Sequence, residues 1–94
     1  MKKFDLIIVS YKNQNFTYTA IDSAKNNSCQ PNKIIVVDNH SNDGSVEFLR
    51  GQFPDVVFIE NPENYGYAKA INIGIKASDS EFVIVSNNDV VFST

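Results

Sequence analysis

The stretch KIIVVDN, residues 33–39, decides the fold. Four consecutive β-branched residues precede an acid and an amide, and apolar and polar side chains do not alternate. A strand that is apolar on both faces is covered on both faces, which is typical of a parallel sheet. Three other runs share this character: FDLIIVSY at 4–11, DVVFIEN at 55–61 and EFVIVSNND at 81–89. The sequence therefore predicts a four-stranded parallel sheet.

Segments with helical spacing separate these strands. The predicted helices lie within residues 15–28, 45–50 and 67–77. The predicted buried face of the first helix consists of Phe16, Ala20, Ile21 and Ala24, and that of the third consists of Ala68, Ile71 and Ile75. Asn13 or Asn15 could cap the first helix. Gly74 lies inside the third helix, where glycine is unfavourable, and we expect it to allow close packing.

The order β-α-β-α-β-α-β limits the topology. Parallel strands require crossover connections, and these are right-handed. The prediction is a three-layer αβα, Rossmann-like α/β fold with strand order 3-2-1-4. Ligands bind outside the carboxyl ends of such strands, where this chain carries polar residues. These residues are Ser10-Tyr11, Asp38-Asn39, Asn61 and Asn87-Asn88-Asp89.

Composition narrows the function classes. The 94 residues are 43% apolar, which is enough for one core and argues against disorder. The net charge is −3 without a Lys/Arg cluster, so we expect no nucleic-acid partner. The single Cys29 excludes a disulfide framework within the chain and a Cys-based zinc site. Asp5 interrupts the first apolar run, which we interpret as a buried strand of a cytoplasmic protein and not as a signal peptide.

Asp38 closes the second strand and begins the polar stretch DNHSNDGS. A carboxylate there can accept a hydrogen bond from a nucleobase N–H or a ribose hydroxyl, or it can organise its own turn. The residues alone leave both interpretations open. Asp43 is interpreted as the cap of the short second helix, and His40 as a solvated loop residue without a role.

Neither of the two commonest phosphate-binding loops is present. The sequence has no G-x-G-x-x-G after the first strand and no G-x-x-x-x-G-K-[ST]. The phosphates of a bound nucleotide would then be neutralised in another way, and a divalent metal is the obvious candidate. Such ions are held by one or two carboxylates together with substrate phosphates. Asp89 suits that role, with an exposed acid at a strand end as the alternative. Ser10 lacks a nucleophile elbow, which argues against a serine hydrolase.

Four sequence blocks together carry a family resemblance. They are LIIVSY, IIVVDNHSNDGS, NYGYAKAINIGI and FVIVSNND, and they cover almost the whole chain. They resemble the nucleotide-binding half of inverting family-2 glycosyltransferases with the GT-A fold, most closely the rhamnosyltransferase-like branch. The family has a strand ending in a small polar residue and Tyr, then V-D-[ND]-x-S-x-D-[GS]-[ST], then N-x-G-[FY]-[AG]-x-[AG]-x-N-x-G, then a strand ending in D-x-D or N-x-D.

The resemblance implies a donor site whose nucleoside end lies at the first two strands. Ser10 and Tyr11 would border the base and the ribose. Asp38 would read the base, which in the family is usually uracil or thymine. Asn64 and Gly66 match the glycine-containing start of the third helix.

The resemblance also implies a diphosphate end. Asn72 would line the donor pocket, and Asp89 would bind the divalent metal, Mn²⁺ or Mg²⁺. Asn87 stands where many relatives have the first acid of D-x-D, and it would contact the ribose or a metal-bound water. Many relatives have an Arg before the helix Asn, and this chain does not, so Lys69 would meet the diphosphate charge instead.

The family's acceptor site and catalytic Asp follow D-x-D, and nothing in residues 1–94 corresponds to them. We therefore expect a single nucleotide-sugar-binding subdomain, truncated relative to a full domain, without a catalytic residue and inactive by itself. Its partner would be a UDP- or dTDP-sugar, with an acceptor saccharide only in a longer protein. A non-catalytic sugar-nucleotide binding module and a structural remnant without a ligand stay open as alternatives.

The last predicted strand would lie at an edge of the sheet. Apolar residues would then adjoin unpaired backbone groups, which favours pairing with another chain. These residues are Val83, Val85, Val90, Val91 and Phe92. We expect a two-fold homodimer through residues 81–94, unless residues 90–94 fold back and cover the edge.

Overall fold

Residues 4–89, the part of the chain that the computed structural model describes, form four strands and three helices in alternation. The strands are β1 (Phe4–Ser10), β2 (Lys33–Asp38), β3 (Val57–Glu60) and β4 (Phe82–Asn87). The helices are α1 (Gln14–Lys25), α2 (Ser45–Gln52) and α3 (Tyr67–Ala77). All strand pairs are parallel and the sheet order is β3-β2-β1-β4, which confirms the predicted fold class and strand order.

The side-chain alternation of a strand divides the central strand β1 between two cores. Leu6 and Ile8 pack in the core that α1 and α2 cover, whereas Ile7 and Val9 pack beneath α3. The residues of β2 divide in the same way. Both faces of the central strands are therefore buried, which is why their sequences read as continuous apolar runs.

The predicted buried face of α3 was wrong in part. Ala68 and Ile75 are exposed, and the fully buried residues are Ala70 and Gly74. A Cβ added at Gly74 would lie 2.5 Å from Cγ2 of Ile7, so this glycine does allow close packing. Helix α3 contacts the sheet through its smallest residues. A pattern of large apolar residues does not indicate such a contact.

Helix α1 also differs from the prediction. Phe16 is 53% exposed, and Thr17 takes its place beside the buried alanines and isoleucine of this helix. Asn13 occupies the N-cap position but makes no capping side-chain hydrogen bond, and Asn15 lies inside the helix. Asn13 has φ 53°, in the left-handed region, and an N-cap residue normally has an extended backbone.

The start of α2 likewise differs. Gly44, with φ 83°, is its N-cap residue, and Asp43 precedes it. The Asp43 carboxylate accepts hydrogen bonds from the backbone N–H of Ser45, at 3.1 Å, and from the Ser45 hydroxyl. The hydrogen bond from the Ser45 hydroxyl is the main reason that the pKa of Asp43 is lowered. Asp43 therefore supports the helix start from one position earlier than predicted.

Asp5 organises the amino edge of the sheet. Its side chain is fully buried and accepts four hydrogen bonds, from the hydroxyls of Ser78 (2.6 Å) and Ser80 (2.7 Å), the Asn32 amide (3.4 Å) and the Lys33 N–H (3.2 Å). Burial alone would raise the pKa of Asp5, but the hydrogen bonds outweigh it and lower the pKa. The acid thus ties the start of β1 to the segments that precede β2 and β4.

Strand β4 pairs with β1, and in the described part of the chain no strand lies on its other side. Phe82 and Ile84 are exposed on the α1 face, at 64% and 47%, and Val85 is exposed on the α3 face. The predicted dimer edge includes Val90, Val91 and Phe92, which lie outside the described residues. Within residues 4–89, no helix has the length and apolar character needed to cross a membrane.

Candidate functional site

The carboxyl edge of the sheet brings the predicted site residues of three strands together. Ser10 and Asp38 are partners in the register of β1 and β2, and Asn87 is paired with Val9 on the other side of β1. Asp89 follows β4 in a turn at the same edge. The predicted convergence of Ser10, Asp38 and Asp89 on one edge is therefore confirmed.

Asp38 is 3% exposed and both of its carboxylate oxygens contact Ser41. One oxygen accepts the Ser41 N–H at 2.9 Å, and the other accepts the Ser41 hydroxyl at 2.5 Å. Asp38 therefore does organise its own turn. An ionised carboxylate has about four acceptor positions, so two are left for a further donor. The turn role and a ligand role are compatible at this residue.

Ser41 also joins the first two loops. Its hydroxyl oxygen accepts a hydrogen bond from the backbone N–H of Lys12 at 2.6 Å. The loop after β1 is thereby fixed to the turn that holds Asp38. The sequence prediction assigned no role to Ser41, although a small hydroxyl residue three positions after an acid is a usual turn pattern.

Ser10 and Tyr11 differ in exposure. Ser10 is buried, and its hydroxyl shares a hydrogen bond of 2.9 Å with Thr17 of α1. Tyr11 is 44% exposed, with the Lys12 ammonium 5.5 Å from the centre of its ring. Tyr11 is therefore open to a ligand, whereas Ser10 lies in the hydrogen-bonded floor of the edge.

Asn39, directly after Asp38, connects the remaining segments of this edge. Its amide N–H donates to the Gly66 carbonyl at 3.1 Å, and its amide oxygen accepts from the Asn61 side chain at 2.9 Å and the Tyr65 N–H at 3.3 Å. Asn39 and Asn61 are both buried. The tips of β2 and β3 and the start of α3 are thus held together by two asparagine side chains.

The start of α3 depends on a glycine. Gly66 has φ 81° and ψ 174°, a conformation nearly restricted to glycine. The Asn64 side chain accepts the Gly66 N–H at 2.9 Å. On the helix itself, Lys69 and Asn72 are exposed, and the Lys69 ammonium lies 4.0 Å from the centre of the Tyr65 ring. Lys69 and Asn72 are three positions apart, so they share one side of α3.

Backbone strain is concentrated at this edge. In residues 4–89 the non-glycine residues with positive φ are Lys12, Asn13, His40 and Asn42. They lie in the two loops that Ser41 joins. Such residues cost about 1–3 kcal/mol each and persist only where the surroundings hold them, which is typical of ligand sites.

A cleft of about 270 Å³ opens beside Asp38 and is lined mainly by polar and acidic side chains, among them Asp43, Glu47 and Glu60. An acidic lining repels an anionic ligand, so this cleft disfavours a diphosphate that is not accompanied by a cation. The described residues contain no group of three or more His, Cys, Asp or Glu side chains that could hold a metal.

Comparison with known proteins adds the family. Residues 5–94 match the sequence model described as glycosyl transferase family 2. The chain belongs to glycosyl transferase family 2. The family resemblance inferred from the four blocks is thereby confirmed, and the alternation of strands and helices is that of the N-terminal half of a GT-A domain.

Solved structures show the same fold. The mannosyltransferase PcManGT from Pyrobaculum calidifontis, solved with GDP-Man and Mn²⁺, is 22% identical, with a TM-score of 0.82 over 96% of this chain and 28% of that one. Residues 1–349 of TarS from S. aureus are 21% identical, with a TM-score of 0.84 over 99% of this chain and 29% of that one. The same part of TarS, solved with UDP-GlcNAc, is 22% identical, with a TM-score of 0.81 over 95% of this chain and 27% of that one.

This family 2 chain spans less than a third of each of those solved chains. No curated protein sequence matches the chain at a significant level. The comparisons therefore show the fold and the family.

The tip of β4 offers oxygen ligands of the kind that Mg²⁺ and Mn²⁺ prefer. Asp89 and Asn87 are both exposed. One carboxylate and one amide oxygen do not form a complete ion site, but they fit an ion that the diphosphate of a donor also binds. The oxygen atoms of Asn87 and Asp89 are thus compatible with a metal ion that a bound ligand also coordinates.

Proposed function

We propose that this chain is the donor-binding part of an inverting glycosyltransferase that transfers a sugar from a nucleotide-diphosphate sugar to an acceptor hydroxyl. The observation that carries the proposal is the adjacency of Ser10 and Asp38 in the sheet register, with the β4 tip beside them, in a family 2 chain. The bound nucleotide sugars of PcManGT and TarS support this class of ligand.

The nucleoside would bind at the tips of β1 and β2. Asp38 would accept a hydrogen bond from a base N–H with its remaining acceptor positions, and Tyr11 would contact the base or ribose. Ser10 would border them through its hydrogen-bonded position in the floor. The Asn64–Gly66 turn, held by Asn39, would form the adjacent wall of the site. We propose uracil or thymine as the base.

The diphosphate would bind between the β4 tip and α3. Asp89 and Asn87 would hold a divalent metal or its water, and Lys69 and Asn72 would face the diphosphate and sugar from the helix. A bound Mn²⁺ or Mg²⁺ would act as a Lewis acid that stabilises charge on the leaving diphosphate. Without an arginine at this helix, Lys69 is the side chain proposed to add positive charge.

The transfer itself would be a direct displacement. The acceptor oxygen forms a bond to the anomeric carbon while the bond from that carbon to the diphosphate breaks, and the diphosphate leaves with the electron pair. The acceptor proton passes to a base that the family carries after D-x-D and that has no counterpart in these 94 residues. We therefore propose that the 94-residue chain alone binds donor but transfers no sugar, since general-base assistance is worth about 10²–10⁴-fold.

A calorimetric screen tests the donor proposal. UDP, dTDP and GDP and their sugars would be titrated into the purified chain with Mn²⁺ and with EDTA. UDP or dTDP should bind more tightly than GDP, and Mn²⁺ should increase the affinity. Asp89→Ala should remove mainly the metal-dependent gain, while Asp22→Ala, an exposed acid on α1, should change nothing. No binding of any nucleotide would refute the proposal.

The finer assignments can be separated in the same screen. We propose the rhamnosyltransferase-like branch and therefore expect dTDP-sugars to bind at least as tightly as UDP-sugars. A clear preference for UDP-GlcNAc would contradict that branch and leave the family intact. We also propose a cytoplasmic location, which fractionation of the source cells would check.

We propose that the open side of β4 pairs with a second copy of the chain. Phe82, Ile84 and Val85 are exposed there, and β4 has no second strand partner among residues 4–89. Light scattering over a concentration series should show a dimer. A monomer at every concentration, with slow amide exchange along residues 82–86, would contradict edge pairing.

A further inference from the structure

Asn88 is the middle residue of the Asn87-Asn88-Asp89 tip, and its side chain points back into the protein. Its amide N–H donates to the backbone carbonyl of Lys12 at 3.2 Å and to the Thr17 hydroxyl at 3.1 Å. Its two neighbours are exposed, whereas Asn88 is half-buried. The tip of β4 is thus tied to the loop after β1.

The residue that Asn88 holds is strained. Lys12 has φ 57°, and the next residue, Asn13, has φ 53°. The N–H of Lys12 donates to Ser41, while its carbonyl accepts from Asn88. This one left-handed residue is therefore fixed from two sides, by the turn of Asp38 and by the tip of β4.

The second hydrogen bond of Asn88 reaches the floor of the site. Thr17 contacts both Asn88 and Ser10, so three side chains connect β4, α1 and the end of β1. Thr17 and Ser10 are buried, which shields the hydrogen bond between them from water. The backbone on either side of Tyr11 is consequently positioned by the residue that precedes Asp89.

We propose that Asn88 is a positioning residue that couples the two ends of the donor site. It holds the tip that carries Asp89 against the loop that carries Tyr11, so that occupation of one end orders the other. This inference rests on the proposed function, because a nucleotide diphosphate is the ligand that spans both ends. Asn88 contacts no ligand in this proposal and acts through Lys12 and Thr17.

The coupling has a measurable form. In the parent chain, Mn²⁺ bound with the diphosphate at the β4 tip should strengthen binding of the nucleoside through the ordered loop. If Asn88 transmits that order, its removal should reduce the ratio of UDP affinity with Mn²⁺ to affinity with EDTA. Couplings between sites are commonly 5- to 150-fold, so we expect the ratio to fall about fivefold or more.

The test compares Asn88→Ala with Asn26→Ala in the full chain. Asn26 is an exposed asparagine at the end of α1 whose amide also donates to a backbone carbonyl, that of Asp22 at 2.9 Å, but it joins no two strands. Thr17→Val is the second variant, since it keeps the shape of a buried side chain and removes only the hydroxyl. Thermal unfolding of all variants identifies any that fail to fold.

The first measurement needs no ligand. Amide hydrogen exchange at Lys12, whose N–H donates to Ser41, should be faster in Asn88→Ala and unchanged in Asn26→Ala. The second measurement is calorimetry with UDP, with Mn²⁺ and with EDTA, in which Asn88→Ala and Thr17→Val should both lower the affinity ratio. A folded Asn88→Ala with unchanged exchange, or with faster exchange and an unchanged ratio, would overturn the inference.

Failure of the proposed function gives a different result. If the parent chain binds no UDP with Mn²⁺, the donor site is refuted, and with it the coupling that Asn88 is proposed to transmit. The exchange measurement then still decides whether Asn88 holds the loop after β1.

Discussion

Asp5 and Asp38 are buried carboxylates on the neighbouring strands β1 and β2, at opposite edges of the sheet. Asp5 accepts four hydrogen bonds, from hydroxyls, an amide and a backbone N–H in two other segments. Asp38 accepts two, both from Ser41 in its own turn. Within residues 4–89, every non-glycine residue with positive φ lies at the carboxyl edge of the sheet, where Asp38 is. Asp5, with four hydrogen bonds and no non-glycine residue of positive φ near it, holds the fold together. Asp38, with two hydrogen bonds and strained loops around it, can still accept a hydrogen bond from a ligand.

Removing the carboxylate of Asp5, which accepts four hydrogen bonds, should have the largest effect on stability. Asp5→Ala leaves two serine hydroxyls, an amide and a backbone N–H without their acceptor, and we expect the free energy of unfolding to fall by about 3 kcal/mol. Urea denaturation measures it. Asp79→Ala is the matched control, because Asp79 lies between Ser78 and Ser80 and its side chain is 86% exposed.

If Asp5→Ala were no less stable than Asp79→Ala, the hydrogen bonds at the amino edge would not hold the sheet together. The contrast between the two edges would then be lost.

Removing the carboxylate of Asp38, which accepts only two hydrogen bonds, should affect nucleotide binding more than stability. Asp38→Ala should weaken UDP or dTDP by about 1.5–3 kcal/mol, with or without Mn²⁺, because a charged acceptor for the base is lost. Ser41→Ala separates the two roles of Asp38, since it removes the hydroxyl contact of the turn but keeps the Ser41 N–H contact and the carboxylate. We expect Ser41→Ala to retain more of the affinity than Asp38→Ala, as measured by calorimetry.

Equal nucleotide affinity of Asp38→Ala and the parent would assign Asp38 to its turn alone. The nucleotide would then bind without Asp38, and the proposed contact between Asp38 and the base would be refuted.

Glycine substitutions test the strained edge separately. Gly66→Ala places a side chain in a conformation that only glycine adopts readily, and we expect a loss of roughly 1–2 kcal/mol in the free energy of unfolding. Gly51→Ala, within α2 and with open space around the added Cβ, should stabilise by about 0.5–1 kcal/mol. Thermal unfolding of the pair should therefore show shifts of opposite sign.

The smallest expected effect is a pH dependence. The pKa of Asp5 is lowered in the folded protein, so the fold favours the ionised form. The stability that this contributes is present above the unfolded pKa of about 3.9 and is lost as the pH falls through the lower folded pKa. The urea concentration at the unfolding midpoint of the parent should decrease as the pH is lowered below about 4, and that of Asp5→Asn should decrease less.

Most of the fold could be predicted from local pattern. The continuous apolar runs of β1 and β2 identify buried parallel strands, and crossover rules then order the sheet. The contact of α3 with the sheet could not be predicted from apolar spacing, because it is made by Ala70 and Gly74, whose small size matters only once Ile7 lies opposite.

The site was predictable in its residue types and less so in its connections. Ser10, Asp38 and Asp89 stand at strand ends, and strand ends of a parallel sheet meet. The partners of Asn39 and Asn88 lie 22 to 76 positions away in the chain, so no local pattern indicates them. The left-handed conformation of Lys12 is also invisible in the sequence, because lysine rarely adopts it, whereas asparagine, as at Asn13, adopts it more often.

The central position of β1 has a consequence for synthesis. Its partner β4 is the last strand of the described residues, with Phe4 paired to Phe82 in the sheet register. At ribosomal rates of about 5–20 residues per second, roughly 4 to 15 s separate the end of β1 from the start of β4. During that interval β1 can pair only with β2 and shows the nascent chain an apolar open edge. Among the described strands, β1 is therefore the one whose apolar edge stays unpaired for the longest time during synthesis.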